Sequence, residues 1–130
     1  MNRCILVVED NPLNHELLRD WLEVEGYEVW SAADLKASYE VFAKLLPDAV
    51  LLDINLGAEN GLDLLTWMRQ KPDMREIPVI AVTAHAIVTE QERILQAGCR
   101  ACLSKPIHFQ GLREQLNRSL QDRTVSRRNS

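Results

Sequence analysis

Four apolar runs in this chain stop at a polar side chain of a chemically useful kind. The first ends in Glu9 and Asp10, the run "AVLL" ends in Asp53, "VIAV" ends in Thr83, and "RACLS" ends in Lys105. Three carboxylates brought together repel, and the repulsion is relieved by protonation or by a cation. Hard divalent ions take oxygen ligands, and Mg²⁺ is typically held by one or two carboxylates while keeping several waters. No His or Cys stands at these run ends, so the set suits Mg²⁺, with Mn²⁺ able to substitute, and not zinc. A carboxylate beside such a cation can attack a phosphoryl group and become an aspartyl phosphate. Phosphoryl transfer asks mainly for positioning and charge stabilisation. On this reading Asp53 is the nucleophile, Glu9 and Asp10 share the metal with it, Lys105 is the cation and Thr83 the hydroxyl. The chain lacks an obvious general base for water and has no phosphate-cradling glycine loop, so ATP bound by this chain is not the donor. Singly, each residue has an ordinary surface or capping reading. The weight lies in four run ends agreeing.

Those residues can meet only if the runs carrying them lie side by side. "RCILVVE", "DAVLLD" and "IPVIAVT" are short continuous apolar runs, as in strands buried on both faces. "YEVWSA" alternates partially and suits an edge strand, and "RACLSK" is a short fifth strand. Between them lie helical patterns. "NPLNHELLRDWLEVEG" is capped by Asn11, has Pro12 in its first turn and ends at Gly26. Its expected apolar face is Leu13, Leu17, Trp21 and Val24, with Leu18 and Leu22 beside them. The second helix, "DLKASYEVFAKLL", carries Leu35, Tyr39, Phe42 and Leu46 on a stripe. The third, "GLDLLTWMRQ", carries Leu62, Leu65 and Met68. Thr89 and Glu92 have capping-box spacing ahead of a fourth helix closed by Gly98. Phe109, Leu112, Leu116 and Leu120 mark a fifth. Five β–α units imply an α/β fold: a doubly wound, five-stranded parallel sheet of order 2-1-3-4-5, with right-handed crossovers and helices on both faces. Ligands in such sheets bind beyond the carboxyl ends of the strands, where the four polar ends stand.

The bulk numbers agree. A chain of 130 residues suits one domain with a real core, expected over residues 1–122, and "RTVSRRNS" supplies a polar tail over 123–130, expected to be flexible. Hydrophobic residues make up 46% and charged residues 26%, with a net charge of −4, which gives no ground for non-specific nucleic-acid binding. No apolar run approaches the ~20 residues of a membrane helix. The N-terminus does not read as a signal peptide, so a cytoplasmic location is expected. Three cysteines do not make a disulfide framework.

In the order and spacing of "VVEDNPLN", "LLDINLGAENG", "AVTAHA" and "CLSKPI", the chain resembles the receiver domain of two-component response regulators, a flavodoxin-like (βα)₅ fold, over about residues 3–121. The resemblance implies roles. Asp53 is the phosphoacceptor, Asp10 a direct Mg²⁺ ligand, and Glu9 a ligand acting mostly through water. Asn55 offers its backbone carbonyl to the metal. Thr83 bonds the phosphoryl group, and Lys105 pairs with phosphate beside a cis bond to Pro106. The donor would be a phosphohistidine of a histidine kinase or a histidine phosphotransfer protein. The output would be a protein reached through the face of the fourth helix, fifth strand and fifth helix, with no nucleic acid and no membrane; a homodimer is a separate option. Such a domain is no enzyme beyond its own phosphorylation and dephosphorylation. The motifs "EDNPLN" and "TAHA" are most similar to receivers of hybrid kinases and phosphorelays.

Departures from the family pattern are specific. Cys102 stands at the switch position usually held by Tyr or Phe. Gly57 replaces a frequent Pro, with a looser loop expected. His108 replaces the usual acid at the start of the last helix. Asn55 and His85, near the site mouth, are candidate tuners of water access and phosphate lifetime. Three rival readings remain. Cys99 and Cys102 have C-x-x-C spacing, but at the wrong pole for a thioredoxin-like site. A haloacid-dehalogenase-type phosphatase needs a second acid where Asn55 stands. A degenerate receiver acting only as a binding module would not need the complete acid, Thr and Lys set.

Overall fold

The computed structural model describes residues 3–85 and 87–129, with side chains as far as Gln121. Five strands, β1 (Cys4–Val8), β2 (Glu28–Ala32), β3 (Ala49–Asp53), β6 (Val79–Thr83) and β7 (Ala101–Ser104), form one parallel sheet of order β2-β1-β3-β6-β7. This is the expected 2-1-3-4-5 order. The labels β4 (Asn55–Leu56) and β5 (Glu59–Asn60) belong to a small antiparallel hairpin that follows β3 and was not anticipated. The helices are α1 (Pro12–Val24), α2 (Leu35–Phe42), α3 (Leu62–Arg69), α4 (Val88–Gln96) and α5 (Phe109–Asn129). The expectation of a flexible 123–130 tail falls on side chains outside the described residues. Among the described residues, no helix is long and apolar enough to cross a membrane.

The period of two along each strand sorts its side chains into two cores. Leu6, Val8, Val50, Leu52, Val79 and Ala81 pack with residues of α2, α3 and α4. Ile5, Val7, Ala49, Leu51 and Ile80 pack with Leu18 and Leu22 of α1 and Leu112, Leu116 and Leu120 of α5. The three central strands are therefore buried at every residue, which is why they read as unbroken apolar runs.

The start and stop of α1 follow its sequence. Asn11 Oδ1 accepts from the N–H groups of Leu13 and Asn14 at 3.0 and 3.1 Å, Pro12 opens the helix, and Gly26 adopts φ +97° beyond its end. Its buried face does not follow the expected stripe. Leu18 and Leu22 are buried, whereas Leu13 is 75% exposed, Leu17 57% and Val24 84%. The helix carries two adjacent apolar stripes of the same spacing, about one residue of rotation apart. The partly buried Trp21 marks their border, stacking on Phe109 at 5.0 Å between ring centroids.

The other corrections are smaller. The helix α2 stops at Phe42, leaving Leu46 beyond it and exposed; Leu35 and Phe42 are buried, while Tyr39 is half-buried. Leu64, Leu65 and Met68 carry the buried face of α3, while Leu62 is only half-buried. The helix α4 begins at Val88 after an N-cap at Ile87 with no side-chain cap, so Thr89 lies inside the first turn and forms no capping box. A residue with helical backbone cannot hold the extended geometry of an N-cap.

The corrected α1 face is testable by denaturant titration. Leu22→Ala should cost about 2–5 kcal/mol, as buried leucines do, and Leu13→Ala less than about 0.5 kcal/mol, as an exposed one does.

Candidate functional site

Parallel pairing brings the acids together. The strands β1 and β3 are direct neighbours in register Val8↔Leu52, so Glu9 and Asp10, just beyond β1, stand beside Asp53, the last residue of β3. The strand β6 pairs with β3 on the other side, with Asp53 opposite Val82, and places Thr83 next. Pairing of Thr83 with Ser104 and a bond from the Lys105 N–H to the Thr83 carbonyl (2.9 Å) deliver Lys105 to the same edge. One carboxylate oxygen each from Glu9, Asp10 and Asp53 lies within 4.8 Å of the others. Glu9 and Asp53 are buried, at 4% and 3% exposure, and Asp10 faces solvent.

Each buried oxygen has a partner. Asp53 Oδ1 accepts from the Asn55 N–H at 3.0 Å, and Asp53 Oδ2 from Lys105 Nζ at 2.9 Å. Glu9 Oε1 accepts from the Asn11 N–H at 3.1 Å, and its Oε2 lies 3.5 Å from Lys105 Nζ. One ammonium thus stands between two buried carboxylates, and the charge of the cluster is not balanced. Burial, then the charge of Asp53 and a hydrogen bond to it, push the Glu9 carboxyl above the usual carboxylate range, against the pull of the Asn11 N–H and Lys105. Burial alone would lower Lys105, but its hydrogen bond to Asp53 and the charges of Asp53 and Glu9 hold it above its ordinary value. A hard divalent cation fits this donor set: oxygen ligands, excess negative charge, and one acid raised by a like-charged neighbour. Glu9, Asp10, Asp53 and the Asn55 carbonyl are the groups that would hold it.

Thr83 is buried at 1% exposure, and its Oγ1 accepts from the His85 N–H at 3.0 Å. The hydroxyl proton remains available to a ligand. That bond ties Thr83 to the loop leading into α4, while the His85 side chain is exposed. Cys102 is half-buried on β7 against the core under α2–α4. The Lys105–Pro106 bond is cis, as the resemblance implies.

The loop after Asp53 forms a defined turn. Gly57 (φ +60°) and Ala58 are the two turn residues of the β4–β5 hairpin, in which Asn55 pairs with Asn60 and Leu56 with Glu59. A positive φ at the first of two turn residues is the glycine position of a II′ hairpin. A Cβ on Gly57 would sit 3.6 Å from Asp10 Oδ2, so the tip of the hairpin reaches the acid. Gly61 closes the loop: its N–H bonds the Ile54 carbonyl at 2.7 Å, and a Cβ there would lie 2.4 Å from the Asp53 carbonyl oxygen. Sequence reading missed Gly61 and Glu59. Two glycines bracketing "AEN" were the signal for a tight turn, but four residues are too few for strand periodicity.

Cys4, Cys99 and Cys102 are free thiols. Burial pushes Cys4 and Cys99 up to about 12, helped by Glu28 and Asp48 at Cys4 and by Cys102 at Cys99, where Arg69 pulls the other way; burial also raises Cys102. Raised thiols are poor nucleophiles, which opposes a redox role for the C-x-x-C pair.

Known proteins match most of the chain. A family model described as the response regulator receiver domain matches residues 5–117. The polar-differentiation response regulator DivK of Brucella ovis is 41% identical over 107 residues, 82% of this chain and 87% of the relative. The receiver domain of a sensor histidine kinase from Pseudomonas aeruginosa, solved with a magnesium ion coordinated in its active-site cleft, superposes with a TM-score of 0.84 at 32% identity. It covers 93% of this chain and 99% of that one. A response regulator structure from Chloroflexus aurantiacus gives a TM-score of 0.87 at 29% identity, over 93% of this chain and 99% of its own.

Gly61→Ala should destabilise the fold by roughly 1–3 kcal/mol in urea titration, as overpacking against fixed backbone does. In native protein at pH 8, Cys4 and Cys99 should alkylate about a thousandfold more slowly than an unperturbed thiol, in line with their thiolate fractions; mass spectrometry of the labelled peptides, with denatured protein as reference, checks this.

Proposed function

The chain belongs to the receiver-domain family of response regulators, and we propose that it takes a phosphoryl group onto Asp53 from a phosphohistidine of a histidine kinase or histidine phosphotransfer protein. The observation that carries this is the state of the Asp53 carboxylate. It is buried, held at one oxygen by the Asn55 N–H and at the other by Lys105, and faces two further acids. A nucleophile fixed in this way loses little freedom on reaching the transition state. A bound Mg²⁺ would supply charge stabilisation for the phosphoryl oxygens.

The chain's own groups do the rest. An Asp53 oxygen attacks phosphorus, the P–N bond breaks, and its electron pair stays on the donor imidazole. Lys105 moves from carboxylate to phosphoryl oxygen, and the Thr83 hydroxyl donates to another. Because the Thr83 oxygen is bonded to the His85 N–H, a shift of Thr83 draws on the loop ahead of α4. The exposed Ile87, Val88 and Leu95 put apolar contact surface on α4, supporting the face of α4, β7 and α5 as the one a downstream protein reads. With Cys102 at the switch position, this backbone link stands in place of an aromatic swing.

The donor has a docking surface. A groove of about 370 Å³ runs between α1 and the segment after β7, lined by Leu17, Pro106, Ile107 and Phe109, and it opens on Glu9 and Lys105. With Leu17 in its wall and the exposed Leu13 one turn earlier on α1, the groove suits an apolar helix face presenting the phosphohistidine next to Asp53.

Incubation with a phosphohistidine donor and Mg²⁺ should add one phosphoryl group to the wild type by intact mass, and Asp53→Asn should abolish it. Equal labelling of Asp53→Asn at another residue would show the assignment to be wrong. Lys105→Ala should keep Mg²⁺ binding in calorimetric titration and weaken the conformational response to the acyl-phosphate mimic beryllofluoride. Loss of Mg²⁺ binding would count against the role given to Lys105.

A further inference from the structure

Resting on the Mg²⁺-dependent reading of the acid cluster, we infer that Glu59 is a positioning residue for the metal loop, holding the β4–β5 hairpin against the N-terminus of α2. The hairpin lies between two of the acids. Its first strand begins two residues after Asp53 with Asn55, whose N–H bonds Asp53, and its tip at Gly57 approaches Asp10. A two-residue turn with two paired residues on each side is too short to hold its own geometry in water. Leu56, buried at 3% exposure in the core under α2–α4, anchors one strand. Side chains of the other strand tie it to two helices. Asn60 Oδ1 accepts from the Leu62 N–H at 3.0 Å, at the start of α3. Glu59 Oε1 accepts from the Leu35 N–H at 3.2 Å, at the first residue of α2.

The Glu59 bond is more than a helix cap. Asp34 already caps α2, its Oδ1 accepting from the Ala37 N–H at 2.8 Å. Glu59 takes a different N–H, on a residue whose own side chain is buried, from an element distant in sequence. The bond therefore fixes the hairpin to a rigid point, and a carboxylate at a helix N-terminus is in its favourable field. Groups behind the metal ligands orient them, and their loss commonly costs tenfold or more in metal affinity. Glu59 supports the Asn55 carbonyl in this sense without itself being a ligand.

Calorimetric Mg²⁺ titration of the wild type, Glu59→Ala and Glu59→Gln separates positioning from charge. Glu59→Ala should bind Mg²⁺ about tenfold more weakly. Glu59→Gln keeps an oxygen to accept from the Leu35 N–H and should recover most of the affinity. Hydrogen exchange at the Leu35 amide should be faster in Glu59→Ala than in the other two proteins. If Glu59→Gln binds as weakly as Glu59→Ala, the effect is charge through space and the inference falls. It also falls if Glu59→Ala loses stability in urea while its Mg²⁺ affinity equals that of a wild type that binds. A wild type that binds no Mg²⁺ would overturn the proposed function and this inference with it.

Discussion

Glu9, Asp10 and Asp53 each place a carboxylate oxygen within 4.8 Å of the others, and two of the three side chains are buried. Such a cluster is costly, because like charges in a poorly solvated place oppose one another. Lys105, at 2.9 Å from Asp53 and 3.5 Å from Glu9, offsets part of that cost. The remainder is visible in the raised Glu9 carboxyl and makes the site receptive to a hard cation. The rest of the molecule can be understood as the scaffold that keeps these groups together. Parallel pairing of β1 with β3 sets two acids side by side, and β6 and β7 add the hydroxyl and the ammonium. Two cores on the opposite faces of the sheet hold the strands in register.

The loop after Asp53 shows how closely backbone and chemistry are joined. Gly61 leaves no room for a side chain against the Asp53 carbonyl, and Gly57 provides the left-handed turn whose tip reaches Asp10. Glu59 and Asn60 then bind the same hairpin to the starts of α2 and α3. A segment that departs from the family's usual proline loop is thus held by pairing and by two helix N-termini. Preorganisation of this kind spares a site the cost of ordering a loop when its ligand arrives.

On the opposite side of the acids, the exposed Leu13 and Leu17 have a physical reading that their residue type alone conceals. Leu18 and Leu22 suffice to seat α1 on the sheet, with Trp21 stacked on Phe109 at the margin. Leu17 then lines a groove that shares Glu9 and Lys105 with the acid cluster. Apolar surface left in solvent next to the acid cluster is consistent with a surface that a partner covers.

The alternation of apolar runs and helical patterns was enough to read five β–α units and the sheet order, because strands buried on both faces and their crossovers leave a strong, local signal. The polar residues at the run ends were legible for the same reason: once the strands are parallel, their carboxyl ends must share an edge. What the chain's pattern left open was decided by packing. Two stripes of leucine with identical spacing run along α1, and only the shape of the sheet and α5 selects Leu18 and Leu22 for the interior. The helix α4 starts before its apparent capping box because the loop from β6 delivers Ile87, not Thr89, in the extended geometry an N-cap needs. The two glycines signal a turn, but the strand pairing and the roles of Gly61 and Glu59 were not legible because their partners, the Asp53 carbonyl and the Leu35 N–H, are brought to them by the fold. A contact between a loop and a distant helix end has no period to read. It exists only when both elements have already been placed on the same sheet.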